Sequence, residues 1–69
     1  MKFRDFIRVL EQHGFVLDRQ RSSHRIYKGK VRGRTHIVTV AYHRESDDIL
    51  PKTLASMIRQ SGLDKRLFR

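Results

Sequence analysis

His24-Arg25-Ile26-Tyr27-Lys28-Gly29-Lys30-Val31-Arg32-Gly33-Arg34-Thr35-His36-Ile37-Val38-Thr39-Val40-Ala41 is the most informative stretch of this chain. His24 to Lys28 alternates as a strand, and Thr35 to Ala41 is rich in Val, Ile and Thr, the residues that fit a pleated surface. Between them Gly29 to Arg34, a basic tip flanked by glycines, reads as a hairpin loop. Periodicity alone leaves the faces of the later strand nearly even, with His36, Val38 and Val40 on one side and Ile37, Thr39 and Ala41 on the other. The expectation adopted is Val38 and Val40 inward. Tyr27 then points inward too, closing a small core with its ring and keeping its hydroxyl at the rim. His24, Ile26 and Lys28 face outward.

On the N-terminal side, Phe15 to Gln20 reads as a short strand with Phe15 and Leu17 on one face, followed by the polar turn Arg21-Ser22-Ser23. Before it, Phe3, Phe6, Ile7 and Leu10 follow the spacing of one helical face between Phe3 and His13. Gly14 sits where a left-handed cap would end that helix. On the C-terminal side, Arg44 to Asp48 is a polar loop and Pro51 suits the first turn of a second helix. Leu54, Met57 and Ile58 form its buried stripe and Gly62 its end, while Asp64 starts a last turn or a frayed tail over Lys65 to Arg69. The expected fold is α+β: a small α-β-β-β-α domain, residues 1–69, with a three-stranded antiparallel sheet and two helices on one face.

Sixty-nine residues fit one small module with a single economical core, which excludes large-cleft architectures. Cysteine is absent, so disulfides, thiolate zinc sites and thiol nucleophiles are excluded and a reducing, cytoplasmic setting is expected. The longest apolar runs are three residues, far short of a membrane span or a signal-peptide core. Sixteen Lys and Arg against seven Asp and Glu give +9, a balance that favours polyanions, nucleic acid first. Arg19, Arg21, Arg25, Lys28, Lys30, Arg32, Arg34 and Arg44 lie in one segment with no Asp or Glu among them. Most of the cations are Arg, whose planar fork binds phosphate bidentately.

Gly14-Phe15, Arg19-Gln20, Ser23-His24, Tyr27, Thr39-Val40 and the run from Leu50-Pro51-Lys52 to Gly62-Leu63 resemble the HicA family of toxin–antitoxin modules, also called YcfA-like proteins. The likeness spans nearly the whole chain. It implies a fold related to double-stranded-RNA-binding domains, and an mRNA interferase held inactive by a HicB antitoxin. It also implies that the histidine of the Ser-His step, here His24, is catalytic. The family has glycine before that pair where this chain has Ser22. If Ser22 must adopt a positive φ, the turn costs about 1 kcal/mol more than with glycine. The family also has proline near Ala41 and a further glycine between Lys52 and Thr53.

The chemistry is compatible with this resemblance. RNA carries its own nucleophile, the 2′-hydroxyl, so cleavage needs only proton transfer and stabilisation of charge on the phosphate. An imidazole can do the first, since in model peptides it titrates at about pH 6.5. Arg19, Arg21, Arg25, Lys28, Lys30, Arg32 and Arg34 are candidates for phosphate binding, and Ser23 for orienting the scissile group. Without the family pattern, His24 would read as an ordinary surface histidine at a strand start. His13 is expected to serve the carbonyls at a helix end, and His36 to be structural. His43 is a candidate second proton-transfer group near the site. Loose spacing without interleaved carboxylates argues against a metal site built from His24, His36 and His43, so neither metal nor cofactor is expected.

A ribonuclease toxin leads, ahead of a non-catalytic RNA-binding module and of a basic domain that only meets an acidic protein. The expected partners are RNA and an acidic HicB-type antitoxin. Ile26 and Tyr42 on the outward sheet face would form the apolar centre of the protein contact.

Overall fold

The computed structural model describes all residues, Met1–Arg69. The order is α1 (Phe3–Gln12), β1 (Val16–Arg21), β2 (His24–Val31), β3 (Arg34–Ala41) and α2 (Pro51–Ser61), followed by a 3₁₀ turn over Lys65–Phe68. The sheet is antiparallel with strand order β1-β2-β3. The fold is therefore the expected α+β arrangement, α-β-β-β-α.

Helix α1 forms where the apolar spacing places it and buries Phe3, Phe6, Ile7 and Leu10. Its end is a Schellman motif. Gly14 takes φ +85°, its N–H donates to the Glu11 carbonyl at 3.1 Å, and the Phe15 N–H donates to that of Leu10 at 3.0 Å. Leu10 and Phe15 are both buried, the apolar contact that accompanies this motif. At the other end, the Phe3 and Arg4 N–H groups donate to the Asp47 and Glu45 carbonyls at 3.1 and 3.0 Å. The loop after β3 thus caps α1 through its backbone, since Lys2 gives no side-chain cap.

Helix α2 begins at Pro51 and ends at Gly62, which takes φ +69°. Met57 is buried and Leu54 and Ile58 pack against the core, as their spacing implies. The His36 ring lies where a side chain on Gly62 would have to go. Its Nδ1–H donates to the Gln60 carbonyl at 3.2 Å, and the Thr39 N–H donates to Gln60 Oε1 at 3.3 Å. These bonds join α2 to β3 and occupy part of its free edge. His36 is structural, as expected. The C-terminal residues do not fray: Asp64 accepts from the Arg66 N–H at 2.9 Å, and the buried Phe68 ring stacks on Phe6 at 4.8 Å.

Tyr27, Val38 and Val40 point into the core beneath the helices, which settles the choice that periodicity left open. Other expectations need correction. Gly29 to Arg34 is not a loop. Pairing continues to Val31 with Arg34, and the turn is only Arg32-Gly33, with φ of +53° and +79°, the two left-handed residues of a type I′ hairpin. Gly29 lies within β2 because a Cβ there would come within 2.6 Å of the Phe15 ring. The first strand begins at Val16 and none of its residues is buried, so Leu17, 47% exposed, lines the core margin rather than filling it. Tyr42 is not on the outward face. It is 7% exposed and its ring stacks on Phe3 at 5.2 Å.

Candidate functional site

Residues paired across an antiparallel ladder project from the same face of the sheet. Val40, Val38 and His36 pair with Arg25, Tyr27 and Gly29, so these residues share the helix-facing side. The other side of β2 carries His24, Ile26, Lys28 and Lys30, paired with Ala41, Thr39, Ile37 and Thr35. All are exposed except the half-buried Ile26, and no helix covers this face.

On β1, simple alternation from the inward Phe15 would send Arg19 and Arg21 inward as well. A bulge prevents this. Leu17 pairs with Tyr27 but Arg19 pairs with Ile26, leaving Asp18 as the extra residue. The phase inverts at that point, so Arg19 lies beside Ile26 and Arg21 beside His24 on the outward face. Asp18 Oδ2 is 3.5 Å from Arg19 Nε, an exposed ion pair that contributes little energy and helps direct the side chain. The row at the end of the sheet is Arg21–His24–Ala41.

His24 starts β2 directly after the tight turn Ser22-Ser23. Ser22 has φ +56°, the left-handed conformation that glycine adopts without strain. The turn is held by two bonds: the Tyr42 N–H donates to the Ser23 carbonyl at 3.3 Å and Gln20 Nε2 donates to that of Ser22 at 3.4 Å. Serine in place of glycine therefore keeps the turn, at a cost of about 1 kcal/mol. Ser23 is half-buried beside His24, with its carbonyl already engaged.

Arg25 is set apart from the other candidates. Its guanidinium lies 4.2 Å from the centre of the Tyr42 ring on the helix-facing side, and its Nη1 is buried without a hydrogen-bond partner. The aromatic face takes the place of that partner. Tyr42 in turn donates from its hydroxyl to Glu45 Oε1 at 3.1 Å. Phe3, Tyr42 and Arg25 thus form a stack behind the turn that carries His24. Burial, together with the Glu45 hydrogen bond, pushes the Tyr42 hydroxyl pKa up, and burial does the same to Tyr27. Tyr42 is the supporting residue that sequence reasoning misplaced. The signal for it was positional: two residues beyond Val40, it continues the inward alternation.

The remaining cations spread toward the far end of the sheet. Lys28 and Lys30 are exposed on the outward face, Arg32 is at the hairpin tip, and Arg34, paired with Val31, emerges on the helix-facing side. The structure thus brings Arg19, Arg21, Lys28 and Lys30 onto the face of His24 and places Arg25 and Arg34 on the other. His13 Nδ1 lies 2.8 Å from the Val9 carbonyl, the helix-end role expected of it. His43 is exposed in the loop after β3. No three His, Asp or Glu side chains gather as a metal-binding group. No helix is long and apolar enough to cross a membrane.

Comparison with curated proteins and with solved structures gives no match. The family model described as the HicA toxin of bacterial toxin–antitoxin systems matches residues 3–63, from the first residue of α1 to two residues past α2. The matched segment contains the sheet, the Ser22-Ser23 turn and His24. The chain belongs to the HicA family, the toxins of bacterial toxin–antitoxin pairs.

Proposed function

We propose that this toxin is an endoribonuclease that cuts mRNA, with His24 as the catalytic residue and Arg19, Arg21, Lys28 and Lys30 as the phosphate-binding set. The single observation that supports this most is the Arg21–His24 row, in which the bulge at Asp18 sets a permanent cation beside an exposed imidazole. In the proposed reaction His24 accepts the proton of a 2′-hydroxyl as that oxygen attacks the adjacent phosphorus. The P–O2′ bond forms, the P–O5′ bond breaks, and the imidazolium returns the proton to the departing 5′-oxygen. The products are a 2′,3′-cyclic phosphate and a 5′-hydroxyl. Arg21 and Arg19 offset the charge that accumulates on the phosphoryl oxygens. Ser23 orients the scissile group, and no metal ion takes part. Arg32 and Arg34 extend the positive field beyond the outward face. The domain, residues 1–69, acts in the cytoplasm and is silenced by an acidic HicB-type antitoxin that covers the His24 face.

The test is cleavage of an RNA oligonucleotide by the purified chain and by His24→Ala. The variant is expected to lose about 10²- to 10⁴-fold in rate with an unchanged thermal transition, because an exposed side chain contributes little packing. The product of the unsubstituted protein should end in a cyclic phosphate, and EDTA should leave its rate unchanged. Undiminished cleavage by His24→Ala, or cutting at a 2′-deoxy position, would refute the mechanism.

A further inference from the structure

The outward face is organised in rows two residues apart along β2, and each row holds one cation. Arg21 belongs to the row of His24, Arg19 to that of Ile26, Lys28 to the row of Val16 and Ile37, and Lys30 to that of Thr35. The cations therefore form a stripe that starts on β1 and crosses to β2. The rows are about 6.6 Å apart at a rise of about 3.3 Å per residue, a spacing comparable with the phosphate repeat of an extended single strand. Val16 and Ile37, 64% and 54% exposed, and the half-buried Ile26 lie within the stripe as apolar surface for bases or riboses.

The stripe has one direction only. His24 occupies the last row before the Ser22-Ser23 turn, and every other cationic row lies toward the Arg32-Gly33 tip. The chain leaving β3 at the His24 end carries Glu45, Asp47 and Asp48. That segment turns back to cap α1 through the Glu45 and Asp47 carbonyls, so no further strand row continues the outward face beyond His24.

From this arrangement we infer that the toxin binds single-stranded RNA asymmetrically, holding the scissile phosphate and about three consecutive phosphates along the stripe on one flank of it, and none on the other. The inference rests on the ribonuclease reading for the position of the scissile bond, while the stripe itself is a binding surface whether or not cleavage occurs. The strand lies flat on the sheet, so a fully paired duplex, which keeps its bases stacked inside, binds more weakly.

The test uses a series of oligoribonucleotides with one cleavable position, shortened stepwise from either end. Each nucleotide removed from one flank, up to three, should lower kcat/KM by about two- to fivefold, the worth of an exposed ion pair, and removal from the other flank should change nothing. In Lys30→Ala the outermost of those steps should vanish while the inner ones persist. Equal losses on both flanks, or none on either, would overturn the one-sided track and leave the ribonuclease reading standing. Binding of the same oligonucleotides by His24→Ala separates the two ideas. A salt dependence near four phosphates, about 0.7 each, that falls by one in Lys30→Ala supports the stripe even if no cleavage is seen. Absence of that dependence overturns it, as does tighter binding of a duplex.

Discussion

The two faces of strand β2 have the same backbone and opposite duties. On one, Tyr27 and Gly29 are buried under the helices, and Arg25 is folded back against Tyr42. On the other, His24, Lys28 and Lys30 are exposed and flanked by Arg19 and Arg21. A cation is tolerated on the inner face because an aromatic ring stabilises it, whereas the cations of the outer face are solvent-exposed, Arg19 beside Asp18. Residue type therefore does not assign a role on this strand. Phase does, and on β1 the phase depends on one bulged residue, Asp18.

The largest effect that probes the inner face alone is Gly29→Ala. A Cβ at that position meets the Phe15 ring at 2.6 Å, so the ring must leave its seat, and an overpacking cost of about 1–3 kcal/mol is expected. Chemical denaturation should show that destabilisation. An alanine variant as stable as the parent would mean that the Phe15–Gly29 contact is not part of the core.

Ser22→Gly acts between the faces. It relieves a left-handed serine and should stabilise the chain by about 1 kcal/mol without altering the bonds that hold the turn. A denaturation midpoint that falls would show that the serine side chain supports the turn more than its φ strains it.

A smaller effect comes from Tyr42→Phe, which removes a hydrogen bond to the exposed Glu45 and should cost about 0.5 kcal/mol at neutral pH. The hydroxyl pKa is raised in the folded state, chiefly by burial. The folded state therefore holds its proton more tightly than the unfolded state. The corresponding stability is fully present below about pH 10, the unfolded tyrosine value, and is lost as pH rises through the folded value. Tyr42→Phe should flatten the alkaline limb of the stability–pH profile, and an unchanged limb would show that Tyr42 does not contribute to it.

Much of this was visible in the residues. The spacing of Phe3, Phe6, Ile7 and Leu10 with Gly14 marked α1 and its cap, and Pro51 with Gly62 marked the ends of α2, because these signals are local. Choosing Val38 and Val40 as inward also fixed the outward direction of His24. The same alternation places Arg25 beside Tyr27 on the inner face, although its charge suggested a phosphate contact. The bulge was not legible, since no glycine marks it and Asp18 is ordinary in a polar edge strand. Gly29 resembled a turn residue because the ring that requires it belongs to Phe15, fourteen positions earlier, a distance no local pattern spans.

The division between the faces can be measured most directly by comparing Arg21→Ala with Arg25→Ala, each in a His24→Ala background, which is expected to bind single-stranded RNA without cutting it. Affinity is followed against salt, and the slope of log K against log[salt] falls by about 0.7 for each phosphate that is no longer bound. Arg21→Ala should flatten the slope by that amount. Arg25→Ala should leave the slope unchanged and lower the thermal transition instead. Equal flattening by both variants, or flattening by Arg25→Ala alone, would contradict the separation of a binding face from a structural one.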